Sequence, residues 1–402
     1  MPEAVIVATA RSPIGRANKG SLVDCRPDDL TATIIRAALE KVPQLDPSAV
    51  EDVIVGCGQP AGESGMNIAR VAAILAGLPD APGTTVNRYC SSSLQTIRMA
   101  AHAIRAGEGD VFVSAGVETV SRFAHGMADS GAAANPKFAD AHERTKQREQ
   151  GGQGPWKPAD GLPDIYIAMG QTAENVAELE NVSREEMDEF AALSQQRAVQ
   201  SQENGFFERE ITPITTPDGT VVSKDDGPRA GTTVEKLSQL KPVFRPDGKV
   251  TAGNACPLND GAAAVIVMSD TKARELGITP LARIVASGVS ALDPEIMGLG
   301  PIEACRQTLE RAGMSIDDID LVEINEAFAA QIIPSAKHLG IPWEKLNVKG
   351  GAIALGHPFG MTGARIMTTL LNALEDEGKT FGLESMCVGG GQGMAMIVER
   401  LS

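Results

Sequence analysis

Apolar positions along this chain change period several times, and each change marks an element. Ala4-Val5-Ile6-Val7 is an unbroken apolar run, the pattern of a strand covered on both faces. Residues 30–42 read as helix, and an Asp-rich turn then leads to the strand-like Val53-Ile54-Val55. Leu94, Ile97, Ala101 and Ile104 recur at helical spacing, with Gly107 as the stop and a short apolar strand at 111–113. After Pro280 the same order returns. A strand at 281–285 and a helix at 302–312 precede Asp317-Asp318 and the apolar Ile319 to Ile324. A helical run through Ile366, Leu370 and Leu374 follows, then a strand at 394–398. His357 follows Asn325 at nearly the spacing at which Cys90 follows Cys57. This self-similarity predicts two topologically related α/β halves.

Between about residues 121 and 249 the texture changes. Gly, Ala, Asp and Lys dominate 132–159, and helical patterns at 173–179, 184–200 and 235–240 interrupt loops. An excursion this long without regular strands is usually a lid or binding loop. The expected organisation is a first half at 1–120 completed by 250–275, a loop domain at 121–249, and a second half at 276–402.

With 402 residues there is ample chain for a sizeable core, and 42 glycines with 3% aromatics imply close packing of small and aliphatic side chains. The net charge of -16, with no basic cluster, argues against nucleic acid but not against a phosphate held by one local cation. Six cysteines spread singly, with no CxxC pair, point to a reducing compartment without structural disulfides or zinc. No apolar run approaches membrane-spanning length, and no signal or transit pattern precedes Ala4. A soluble cytoplasmic protein with no membrane partner is the expectation.

Cys90 lies in Asn87-Arg88-Tyr89-Cys90-Ser91-Ser92-Ser93, where an extended stretch enters a helix. Unpaired N–H groups and the macrodipole at such an entry favour a thiolate. His357 lies in the turn Gly356-His357-Pro358, and Cys387 precedes Gly389-Gly390-Gly391. A thiol at a helix entry, a histidine in a glycine-rich turn and a second thiol suggest a nucleophile, a base and a second acid/base group. Two weaker motifs are set aside. Gly56-Cys57-Gly58-Gln59-Pro60-Ala61 fits a dinucleotide pattern but is a poor helix start, and no GK[ST] follows the triple glycine.

Four segments carry a resemblance to the thiolase family, in the family's order and over nearly the whole chain. They are Asn-x-x-Cys-x-Ser at Cys90, Asn-Glu-Ala-Phe-Ala at 325–329, Gly-His-Pro at 356–358 and Cys-x-Gly-Gly-Gly at 387–391. The resemblance implies a duplicated five-layer αβαβα fold of the α/β class with a loop-domain insertion. It implies Cys90 as covalent nucleophile, His357 as base and oxyanion donor, and Cys387 as the acid/base at the α-carbon of an acetyl thioester. The amide of Gly389 would form one oxyanion hole with that of Cys90, and Asn325 would hold a water that forms another with His357. Met169, Met297 and Phe328 would line the acyl pocket. Arg229 matches a basic residue that meets the coenzyme A 3′-phosphate in some members, and Cys256 stands where many have a serine facing the pantetheine.

The activity so implied is cleavage of 3-ketoacyl-CoA by CoA to acetyl-CoA and a shortened acyl-CoA, in fatty-acid or related β-oxidation. CoA serves as substrate, with no metal and no cofactor, in a homodimer or homotetramer. An acetoacetyl-CoA-forming acetyltransferase is the alternative, and Ala168, where dedicated members often carry histidine, weighs against it. A ketoacyl synthase or a non-catalytic acyl-CoA carrier fits the second cysteine and its glycines less well.

Overall fold

Residues 2–125 and 134–402 are described in the computed structural model. Among the described residues twelve strands form in chain order: β1 Ala4–Arg11, β2 Gly15–Arg16, β3 Asp52–Cys57, β4 Gly83–Val86, β5 Val111–Thr119, β6 Ile214–Thr215, β7 Val221–Val222, β8 Asn259–Ser269, β9 Ala282–Ala291, β10 Leu321–Ile324, β11 Phe381–Val388 and β12 Gln392–Arg400. The main sheet runs β10-β11-β12-β9-β1-β8-β5-β3-β4, with β2 on the side of β8.

The predicted duplication is visible in the pairing. In the first half β3 lies parallel to β5, β5 antiparallel to β8 and β8 antiparallel to β1. In the second half β10 lies parallel to β11, β11 antiparallel to β12 and β12 antiparallel to β9. The half-sheets meet where β1 and β9 pair through Val5–Arg283 and Ile6–Ala282.

Strands buried on both faces must be apolar on both, and alternation then decides which layer each side chain joins. On β8, Ala262, Ala264, Ile266 and Met268 face a cluster with helices Pro27–Glu40 and Ile68–Leu75. Ala263, Val265 and Val267 face the central cluster, built on helices Ser92–Ala106 and Thr362–Asp376. Leu383, Ala395 and Ile397 face a third cluster with helices Gly300–Ala312 and Ala329–Leu339. Three helical layers thus enclose two half-sheets. The central helices carry Cys90 and His357 at their N-terminal approaches.

The stretch expected as a loop domain at 121–249 has residues 126–133 outside the described residues. Helices Met169–Leu179, Arg184–Glu203 and Val234–Ser238 occupy the stretches read as helical. Two elements differ from expectation. Helix Ala139–Glu149 carries no apolar stripe, burying only Ala141 and Thr145, so its sequence has no helical period to read. Arg148 fastens it, bonding Asn175 at 3.2 Å and pairing with Glu178. Strands β6 and β7 form a two-residue hairpin, too short for an alternating pattern.

Candidate active site

The chain leaves β4 and turns sharply before the helix that carries Cys90. Tyr89 has φ of +44°, a left-handed conformation costly for a side chain of this size. The turn is locked locally. The Tyr89 amide donates to Asn87 Oδ1 at 2.8 Å, the Arg88 amide to Ser92 Oγ at 3.0 Å, and Ser92 Oγ to the Tyr89 carbonyl at 2.7 Å. Cys90 emerges on the single turn Tyr89–Ser91 that feeds the helix. Its own amide and that of Gly389 both donate toward its sulfur. The two N–H groups expected to form an oxyanion hole therefore meet at the nucleophile.

The resting ionisation differs from the sequence expectation. Burial pushes the Cys90 thiol up to about 11, outweighing the two amides that favour the thiolate, and the carboxylate of Glu118 adds to the rise. The helix entry does not leave a standing thiolate, because the pocket excludes the water that would solvate one.

Gly389 to Gly391 form the turn between β11 and β12. Gly390 and Gly391 have φ of +75° and +78°, conformations that glycine adopts without strain. Gln392 Nε2 donates to the Gly389 carbonyl at 3.3 Å, while Gln392 Oε1 accepts from Arg88 Nη1 at 2.7 Å. Arg88 Nε reaches Gln95 Oε1 at 3.0 Å. Arg88 and Gln392 thus tie the nucleophile turn to the glycine turn. Cys387, at the end of β11, is fully buried, and burial, Cys90 and Cys256 all push its thiol up. It belongs to the cluster containing Met297 and Phe328, with Met169 and Cys256 packed on the margin. Cys256 is held by its amide bond to the Ala327 carbonyl at 3.0 Å and faces Cys90 electrostatically.

His357 has its protonation pattern set by one hydroxyl. Thr362 Oγ1 donates its only proton to the Pro358 carbonyl at 2.8 Å. It must therefore accept from His357 Nδ1, 2.6 Å away. That leaves the lone pair on Nε2, which lies 3.3 Å from Asn325 Nδ2. Burial, then Arg365, lowers the imidazole to about 3, so it is a neutral base throughout the physiological range. Asn325 Oδ1 is buried and has no hydrogen-bond partner among the described residues, an acceptor that a water or ligand donor would satisfy. Asn259 Oδ1 fixes the His357 amide at 3.0 Å. Glu326 accepts from Asn347 Nδ2, Ser194 Oγ and the Ile353 amide, seating the loop that precedes the histidine turn.

Arg229 stands apart. It is exposed and lines an open groove of about 790 Å³ between helix Arg184–Glu203 and residues 230–235, whose lining does not include Cys90, His357 or Cys387. Its amide is fixed by Gln195 Oε1 at 2.8 Å, and its charge reaches Arg16. Among the described residues no group of three or more His, Cys, Asp or Glu side chains could hold a metal.

Sequence reasoning missed Thr362, Arg88, Gln392, Asn259 and Glu326. Arg88, Glu326 and Gln392 sit within or beside the quoted motifs, where a polar side chain near a reactive group was the available signal, and Thr362 lies four residues beyond Pro358. Asn259 had none.

Comparison with known proteins bears on the whole chain. The family described as "Thiolase, N-terminal domain" matches residues 4–271, and "Thiolase, C-terminal domain" matches 278–400. A beta-ketoadipyl-CoA thiolase of Acinetobacter baylyi is 44% identical over 411 residues, covering 100% of both chains. A 3-ketoacyl-CoA thiolase of Aeromonas hydrophila is 44% identical over 410 residues, again covering 100% of each. The crystal structure of the Bacillus anthracis acetyl-CoA acetyltransferase superposes with a TM-score of 0.86 at 42% identity, covering 100% of this chain and 99% of that one.

Proposed function

The chain belongs to the thiolase family, and we propose that it is an acetyl-CoA C-acyltransferase acting on 3-ketoacyl-CoA through an acyl group on Cys90. The observation that carries this reading is the pair of amides, those of Cys90 and Gly389, at the Cys90 sulfur, together with a neutral His357 whose Nε2 lone pair faces Asn325 Nδ2.

His357 Nε2 takes the Cys90 proton as the sulfur attacks the keto carbon of the substrate. The amides of Cys90 and Gly389 receive the oxyanion. As the C2–C3 bond breaks, His357, now protonated, and Asn325 stabilise the thioester oxygen of the departing acetyl-CoA, and Cys387 delivers a proton to its α-carbon. Once acetyl-CoA has left, the imidazolium proton returns to Cys387. Neutral His357 then takes the proton of incoming CoA, whose sulfur attacks the acyl group, and Cys90 recovers that proton as it leaves. No metal or redox cofactor enters this sequence.

Condensation of two acetyl-CoA molecules uses the same groups in reverse, and the acetyltransferase neighbour keeps that reading in view. The relatives named for beta-ketoadipyl-CoA widen the substrate class from fatty acyl chains to acyl groups bearing a distal carboxylate. Fatty-acid or related β-oxidation in the cytoplasm is the proposed setting. A homo-oligomer is supported by β4, which ends the sheet with an unpaired edge, and by Met66, 93% exposed nearby. Incubation with acetoacetyl-CoA should leave an acyl thioester on the peptide containing Cys90. Acylation found instead on Cys57, Cys256 or Cys305 would reject the assignment.

The stretch 121–249 is proposed as the cover for coenzyme A, with Arg229 at the 3′-phosphate. A remote phosphate contact binds ground and transition states alike, so Arg229→Ala should raise KM for CoA about tenfold and leave kcat nearly unchanged. With 3′-dephospho-CoA the wild type and the variant should behave alike. Equal losses with CoA and 3′-dephospho-CoA would place the phosphate elsewhere.

A further inference from the structure

Glu118 carries a buried carboxylate that the reaction sequence above does not use. It sits near the end of β5 with 0% exposure. Its oxygens accept from the amides of Gly58 at 2.8 Å, Gln59 at 3.1 Å and Gly360 at 2.9 Å, and the Cys57 thiol lies 3.8 Å away. Gly58 and Gln59 continue β3, whereas Gly360 belongs to the His357 turn. One carboxylate therefore joins the ends of two strands to the loop that carries the base.

The backbones beneath it are in close contact. A β-carbon on Gly360 would lie 2.2 Å from the Val117 carbonyl oxygen, and one on Gly116 would lie 2.0 Å from that of Gly360. The duplication explains the placement. Cys57 pairs with Val117, and Ile324 with Ser385. If Cys57 is matched to Asn325, as the sequence repeat does, Glu118 falls on the position of Cys387. Cys387 approaches the Cys90 turn, and Glu118 holds the His357 turn.

We propose that Glu118 is a positioning residue for His357: its carboxylate seats the histidine turn on the ends of β3 and β5. This rests on the acyl-transfer reading above. Three amide donors with one acceptor form a rigid junction around a fully buried carboxylate, and a displaced base costs rate rather than affinity. The titratable groups near Glu118 are Cys57 at the end of β3 and Cys90. Burial raises Glu118 itself to about 7 against the pull of its amide partners.

Glu118→Gln keeps the side-chain size but turns an NH₂ donor toward amides that need an acceptor. Turnover of acetoacetyl-CoA should fall about 100-fold with KM within about twofold, as for a base misplaced by about 1 Å. A folded variant with wild-type turnover, or one whose loss falls on KM rather than on kcat, overturns the proposal. Should the variant not fold, the wild type carries the test. The amide resonances of Gly58, Gln59 and Gly360 should titrate together with one midpoint near pH 7, and separate midpoints or no titration refute the shared carboxylate. The amide titration needs no thioester. A protein that proves inert toward 3-ketoacyl-CoA therefore defeats the functional reading while leaving the titration to judge Glu118.

Discussion

His357→Ala should slow both half-reactions by about 10⁴-fold, with folding intact and KM little changed. The estimate combines general-base catalysis, worth about 10² to 10⁴, with loss of one oxyanion donor, worth about 10² to 10³, discounted because the two act as a unit. A buried thiol pushed up to about 11 has no standing thiolate to fall back on, so removal of the base falls on every attack by Cys90. Thr362→Val provides the graded comparison. It leaves the imidazole but removes the acceptor that fixes its Nδ1–H form, and a loss of about tenfold is expected for one such bond. Because His357 is lowered to about 3 by burial and Arg365, the free-enzyme kcat/KM profile should lack an acid limb near the ordinary histidine range of about 6.5. Rates of acetyl exchange between acetyl-CoA and labelled CoA, followed from pH 5 upward, measure both points. An alanine variant within tenfold of wild type in that exchange refutes His357 as the base.

Much of this arrangement was legible in the chain. Strands β1, β3 and β10 lie on stretches rich in apolar residues, and the helices before and after them keep one period, so the two halves could be read from spacing alone. Cys90, His357 and Cys387 were legible because reactive groups next to glycine, proline or a helix entry leave local marks. What the sequence did not disclose is set by tertiary contact. The ionisation of Cys90 was misread because a helix entry is a local feature, whereas burial depends on what closes over it. Glu118 looks like any acidic residue ending a strand, and only the fold brings Gly58, Gln59 and Gly360 to it. Helix Ala139–Glu149 is held by ion pairs and neighbours rather than an apolar stripe, so periodicity could not mark it. Arg229 was picked from a family position, and the groove it lines is made by helix Arg184–Glu203, some thirty residues earlier.

Cys387→Ser should separate the two halves of the chemistry. Cys387 lies close enough to Cys90 for that thiol to push its own up, and it packs in the same buried cluster as Met297 and Phe328. Proton transfer at carbon needs a group whose pKa lies within reach of the operating pH, and a serine hydroxyl lies several units further above it than a thiol. Exchange of the α-protons of acetyl-CoA in D₂O, and acetoacetyl-CoA cleavage, should therefore fall about 10³-fold or more. Acetyl exchange between acetyl-CoA and labelled CoA should stay within a few-fold, since that path runs only through Cys90, His357 and the two amides at the sulfur. The substitution shortens one buried atom pair and leaves β11 paired on both sides, so a large loss cannot be ascribed to unfolding if the melting temperature holds. Equal losses in proton exchange and acetyl exchange would show that Cys387 supports Cys90 rather than the α-carbon, and the division of labour between the two cysteines would have to be abandoned.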